Sequence, residues 1–225
     1  AYEIKECDWS SDVCSSDLTG IDAHNSELVG MSFSYKEKEG YYIPVPANFS
    51  EAEALVHEFK PLFENANISK IGQNIKYDMN VLRWYGIEIK GTLFDTMVAH
   101  FLIQPEMRHN MNVLAETYLN YSPVSIETLI GKKGKEQGSM RDVPLENIKE
   151  YAAEDADITL QLKYKFSPML MENQTSKLFE SVEIPLIPVL SDMEAEGIAL
   201  DKNALKEISG ELEKDILLVE IGRAH

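Results

Sequence analysis

Residues 71–82 read IGQNIKYDMNVL, and their interpretation decides the fold. The apolar run 68–71 is short and ends at Gly72, which predicts a buried strand. Residues 76–85 then carry helical spacing and stop at Gly86. Asn74 and Asp78 lie four apart, a spacing that places both on one helical face beside apolar Val81 and Leu82. A second stretch, residues 151–159 (YAAEDADIT), repeats the arrangement with Tyr151 and Asp155 beside Ile158 and Leu162. Taken singly, an Asp on a helix is most often part of a solvated face, and a Tyr there a core-edge residue with a satisfied hydroxyl.

Outward from these stretches, residues 28–35 (LVGMSFSY) and 41–45 (YYIPV) read as strands flanking a polar turn at 36–40. Residues 50–64 read as a helix with Ser50 as its N-cap. Further helices are expected over 95–103 and 110–118, separated by Pro105, with Asp95 able to cap the first. Residues 130–142 (IGKKGKEQGSMRD) lack periodicity and read as a loop. Pro144 suits the first turn of a long helix running to about Phe166. Composition changes near Asn173, beyond which 179–196 and 202–219 read as amphipathic helices joined through Gly197. Strands first and helices interleaved later predict an α/β fold, a mixed sheet covered by helices.

The chain has 225 residues, 44% of them hydrophobic, enough for a buried core, and no apolar run reaches membrane-spanning length, so no membrane partner is expected. A formal charge of −17 argues against a bulk electrostatic DNA binder but leaves room for an acidic site that grips nucleic acid through metal ions. Cys7 and Cys14 form no metal-ligand pattern.

The two ends read as foreign. Residues 1–18 (AYEIKECDWSSDVCSSDL) show no apolar period and resemble the translation of a short-read sequencing adapter. Residues 220–225 (EIGRAH) resemble the reverse complement of the same adapter. Setting both aside moves the net charge from −17 to −13 and leaves residues 19–219 without cysteine, which fits a cytoplasmic, reducing location.

In their order and separation, the two polar pairs resemble the second and third motifs of the DnaQ-like exonuclease superfamily, in the subclass with a tyrosine four residues before the last aspartate. The surrounding text (QNIKYD, GIEIKGTLFDTMVAHFLI, RHNMNVLAETYL, EYAAEDADITLQL) is similar to the 3′→5′ exonuclease domain of bacterial family A DNA polymerases, the DNA polymerase I family. The run VEIPLIPVLSDMEAEGIALD is similar to the start of the polymerase thumb, which sets the chain apart from RNase D-like relatives. The resemblance implies a ribonuclease H-like exonuclease domain over 19–172, the first thumb helices over 173–219, and adapter-derived ends at 1–18 and 220–225. It also implies proofreading by two-metal hydrolysis of DNA 3′ ends, with two Mg²⁺ or Mn²⁺ ions. The expected partners are single-stranded 3′ ends, primer-template DNA and a covalently continuous polymerase domain, and a monomer is expected.

By the same resemblance Asp155 binds the metal that activates water, Asp78 serves the metal near the leaving group, Tyr151 orients the water and Asn74 positions the terminal nucleotide. Lys132, Lys133 and Lys135 are candidate phosphate contacts, with a solvated loop the equal alternative. His109 is a candidate cleft residue, with a capping or surface role at least as plausible. Asp157 is expected to be structural. Hard carboxylate oxygens suit such cations, and paired ions both activate water and neutralise the leaving oxygen. The sequence departs from the family at its first motif, an Asp-x-Glu before a Thr-Gly-Ile-Asp-like turn. Here the turn is Thr19–Asp22, but the Asp position falls on Ser15 and the Glu position on Asp17. Sequencing the intact genomic locus is expected to show a different strand, with both acids, ahead of Thr19; a locus encoding 8–18 in frame with Thr19 overturns the adapter assignment.

Overall fold

The computed structural model describes residues 11–18, 27–132 and 137–223. Among them, five strands form one sheet in the order β3-β2-β1-β4-β5, with β1 Ser11–Leu18, β2 Leu28–Lys36, β3 Glu39–Pro44, β4 Ser69–Gly72 and β5 Leu93–Asp95. The β1–β2 and β2–β3 pairs are antiparallel, while β1–β4 and β4–β5 are parallel. The backbone of β1 takes the central position beside β2, with Ser15 opposite Ser32 and Asp17 opposite Gly30. Seven consecutive residues of β2 from Leu28 are buried, as expected of a strand covered on both faces. Met31 and Phe33 pack with Val56, Phe63, Val81 and Leu82, whereas Val29 joins Met140 and Ile148.

The helices are α1 Phe49–Glu58, α2 Lys60–Phe63, α3 Ile75–Arg83, α4 Thr96–Ile103, α5 Met111–Leu114, α6 Ile126–Ile130, α7 Leu145–Glu172, α8 Ser176–Leu178, α9 Ile184–Glu196 and α10 Lys202–Arg223. Two π-helical turns, Ala115–Leu119 and Phe179–Glu183, extend α5 and precede α9. Several sequence expectations are corrected. Asn48, not Ser50, caps α1, its side chain accepting from Glu51 N at 3.2 Å. The single helix expected over 50–64 breaks at Phe59, because Pro61 has no N–H to continue the ladder. The long helix α7 does not stop at Phe166 but passes Pro168, since Leu170 is buried with Phe166 and Phe179 and this packing outweighs the lost hydrogen bond. Within the expected loop, α6 supplies Ile130 and a 3₁₀ turn covers Met140–Asp142. Arg141 ties that turn to the sheet, donating to Leu28 O at 2.7 Å and Val45 O at 3.0 Å.

The chain divides into two compact units, Ala1–Asp192 and Met193–His225. In the first, Ser191 of α9 is fully buried and donates to Asn80 Oδ1 at 2.6 Å. In the second, α10 carries exposed Leu205, Ile208, Leu212 and Ile216 at helical spacing.

The β2–β3 turn lies against α7. Lys38, at φ 66°, donates its amide to Asp157 Oδ1 at 2.6 Å, so Asp157 is structural as expected. A Cβ on Gly40 would lie 2.4 Å from Ala153 O, a backbone atom that cannot step aside. Gly40→Ala is therefore expected to destabilise the protein by about 1–3 kcal/mol. Gly210→Ala, with open space around it in α10, should be neutral or stabilising by up to about 1 kcal/mol. Urea denaturation of both variants checks the contrast.

Candidate active site

The first site segment links β4 to α3. Asn74 is corrected from a helical position: it is the N-cap residue, with φ 66° and ψ 51°, so it does not share a helix face with Asp78. Asparagine is one of few residues that tolerate this left-handed conformation. Asp78 lies in the first turn of α3 and is 5% exposed. A carboxylate there is favoured by the positive end of the helix dipole. Val81 and Leu82, three and four residues on, anchor the same helix in the core.

The second segment is on α7. Ala152 and Ala156 are buried, and Ala156 packs with Ile71 of β4 and Leu160, so α7 runs close over the strand that leads into α3. Both α3 and α7 pack on β1 and β4. One turn apart on α7, the Tyr151 hydroxyl lies on the side of Asp155 and favours its charged form. Burial pushes the Asp155 carboxyl up to about 7; the Tyr151 hydroxyl opposes this and neighbouring Glu154 adds to it. Glu154 itself is occupied elsewhere, accepting from the Tyr121 hydroxyl and from Val124 N at 2.9 Å.

The remaining candidates are distributed differently. Lys132 is exposed at the end of the loop, and Lys133 and Lys135 lie outside the described residues. The His109 ring is half-buried and turned inward, its Nδ1 2.7 Å from Nδ1 of fully buried His100, whose other nitrogen meets the Tyr118 hydroxyl at 3.0 Å. Burial first, and His109 second, hold His100 down at about 4, so it is neutral at physiological pH. The turn Thr19–Asp22 also lies outside the described residues.

Two residues that sequence reasoning passed over organise the turn before α3. Gln73 donates to His109 O at 2.7 Å and accepts from the Thr96 hydroxyl. Asp95, expected only as the cap of α4, also accepts from Ile75 N at 2.7 Å. Its cap role was legible because it precedes α4; the second bond spans twenty residues of sequence and has no local signal. Burial raises the Asp95 carboxyl, against four backbone N–H groups from Val98, Ile75, Asn74 and Met97 that stabilise its charge.

As donors, Asp78 and Asp155 are hard carboxylate oxygens of the kind Mg²⁺ or Mn²⁺ takes, and a desolvated carboxylate gains most from a cation. Among the described residues no group of three or more His, Cys, Asp or Glu gathers into a metal site, so a full ligand set needs further oxygens.

Comparison with known proteins bears on this arrangement. A family model described as the 3′–5′ exonuclease of family A DNA polymerases matches residues 15–171. The chain is 36% identical over 193 residues to DNA polymerase I of Borreliella burgdorferi, covering 84% of this chain and 21% of that protein. It is 34% identical over 219 residues to DNA polymerase I of Pseudomonas aeruginosa, covering 91% and 23%. The chain thus spans about a fifth of the length of these relatives. Among solved structures, Brucella melitensis NrnC with bound Mg²⁺ superposes with a TM-score of 0.68 at 20% identity, covering 84% of this chain and 87% of that one. The POL domain of Pol1 from M. smegmatis, in complex with DNA primer-template and dNTP, gives 0.69 at 19% identity, covering 90% and 31%. These likenesses show the ribonuclease H-like mixed α/β fold expected from the sequence. By its matched domain and its relatives, the chain belongs to the 3′–5′ exonuclease domain family of the DNA polymerase I enzymes.

Proposed function

We propose that this domain hydrolyses DNA from its 3′ end, removing terminal nucleotides for an attached polymerase, and that this chain is impaired because Ser15 stands where the first motif needs an acid. The observation that carries the reading is the pair one turn apart on α7, Asp155, whose carboxyl burial raises, and Tyr151, whose hydroxyl favours its charge. When bound, two divalent cations would supply an activated water and neutralise charge on the leaving oxygen. Asp155 would hold the cation on the water side and Asp78 the one on the leaving-group side. The Tyr151 hydroxyl, on the side of Asp155, would orient the water's lone pair toward phosphorus. Hydrolysis breaks the P–O3′ bond, and the proton lost by water ends on the freed 3′ oxygen. The left-handed backbone of Asn74 would present its side chain to the terminal nucleotide. Single-stranded 3′ ends suit such a site, since stacking and phosphate contacts are sequence-tolerant.

A non-catalytic module bracing the polymerase is disfavoured by retention of Asp78, Tyr151 and Asp155. A free-standing ribonuclease is disfavoured because the polymerase relatives reach 36% identity whereas the NrnC likeness is at 20%.

Assays on a single-stranded, labelled oligonucleotide with Mg²⁺ or Mn²⁺ test the reading. The chain as it stands is expected to be roughly a thousandfold or more slower than its Ser15→Asp, Asp17→Glu version, the equivalent of about three factors of 1.36 kcal/mol. In that version Asp155→Ala should cost more than Tyr151→Phe, because a ligand matters more than an orienting hydroxyl. Equal rates before and after the two substitutions overturn the assignment; circular dichroism of each variant separates lost chemistry from lost folding.

Asp155 also sets a pH dependence of stability. Its carboxyl sits at about 7 when folded against an ordinary 3.8, so between these values the folded state holds a proton that the unfolded chain has released. Without divalent cations, stability is thus expected to fall as pH rises from about 4 to about 7 and to stay low above that. Asp155→Asn should remove this slope and raise Tm at pH 8 in EDTA by at least about 3 °C. Melting curves across that pH range check it.

A further inference from the structure

Asp95 closes β5 with its side chain 1% exposed, and its two oxygens serve two different helices. Oδ1 accepts from Met97 N at 2.9 Å and Val98 N at 3.0 Å, which caps α4. Oδ2 accepts from Ile75 N at 2.7 Å, and the neighbouring Asn74 amide favours the charge of the carboxylate. An ordinary cap needs one oxygen, which a neutral Ser or Asn supplies without burying a charge. The second oxygen is directed at the turn that precedes Asp78.

That turn has little else of its own to hold it. Asn74 occupies the left-handed region and its side chain makes no capping bond to α3. Beside the bond from Gln73 to His109 O, the same β5–α4 junction adds a tie: the Thr96 hydroxyl, itself buried, lies 3.2 Å from Gly72 O and bonds Gln73 Oε1. Asp78 follows within the first turn of α3, so the direction in which the helix starts fixes where its carboxylate lies.

We propose that Asp95 is a positioning residue for the exonuclease reaction: its Oδ2 locks the Asn74–Ile75 backbone and thereby aims Asp78 and Asn74 at the site. The proposal rests on the function given above for Asp78. Asp95 touches no reacting atom in this scheme and acts only through the start of α3.

The test separates this role from a merely structural one. Asp95→Ser keeps one oxygen to cap α4 and removes the bond to α3. Asp95→Asn, nearly isosteric, replaces one acceptor with an amide that cannot accept and serves where the Ser variant folds poorly. Amide hydrogen exchange, followed by NMR on the metal-free chain, should show protection at Asn74 and Ile75 falling at least about tenfold, with Met97 and Val98 within about threefold of the parent. In the Ser15→Asp, Asp17→Glu background, the Mg²⁺ concentration for half-maximal exonuclease rate should rise at least about tenfold, with much of the rate recovered at high Mg²⁺. Adding the Asp95 change to Asp78→Ala should cost clearly less than the Asp95 change alone, only the part that passes through Asn74 remaining. Equal loss of protection at both helices, or an unchanged Mg²⁺ requirement in a folded variant, overturns the proposal. Full activity of Asp78→Ala overturns instead the functional reading on which it rests.

Discussion

Burial of one face of α7 against the sheet is the interaction on which the rest of the structure depends. Ile148, Ala152, Ala156 and Leu160 recur every four residues along that face and are all buried. The two alanines matter most, because small side chains let the helix axis approach the strands. Gly40 marks how close the approach is, since even a methyl group there would collide with Ala153 O. A larger residue at 152 or 156 would lift α7 away and carry Tyr151 and Asp155 with it. Packing and site geometry are thus set by the same residues. Further along α7, Leu162 and Phe166 repeat the logic against α4 and the π-helical turn after α5.

Asp95 and Asp155 show how differently the fold treats a charge. Asp95 faces four backbone N–H groups, so its charge is answered inside the protein. Asp155 has the Tyr151 hydroxyl and a repelling carboxylate next door, which leaves its charge poorly answered by the chain itself. A group held that way favours either a proton or a cation, and binding the second releases the first. Asp157, two residues on, has settled partners in Lys38 N and Gln161 and is spent on structure. Such contrasts separate reactive carboxylates from structural ones better than net charge does.

What could be read from the sequence was what depends on neighbours in sequence. Tyr151 and Asp155 share a helix, so their spacing alone put them one turn apart on α7, where the structure has them. Val81, Leu82, Ile158 and Leu162 were likewise legible as core from their period. Asn74 was misread because periodicity carries no information about a left-handed residue one step outside the helix. Ser50 was read as the cap of α1, and the backbone and side-chain geometry at Asn48 put the cap two residues earlier. The break at Phe59 was available in principle, since Pro61 removes a donor. The second bond of Asp95, the inward turn of His109 onto His100 and the Ser191–Asn80 link join residues far apart in the chain, which no local pattern encodes.

The central position that β1 occupies, held in the intact gene by the strand expected ahead of Thr19, has a consequence for how that protein is made. This strand precedes the other four strands in sequence yet lies in the middle of the sheet, with β2 on one side and β4 on the other. Its antiparallel partner follows at Leu28, but its parallel partner begins only at Ser69 and the helix that covers both at Leu145. At usual rates of translation, roughly ten seconds separate emergence of the first strand from that of its cover. Through that interval a three-stranded meander presents the far side of β1 as an open edge, the kind of surface on which other strands add. The nascent chain is therefore exposed to mispairing at the strand that ends up in the middle of the sheet, and a chaperone that shields extended segments would act here before the covering helix does.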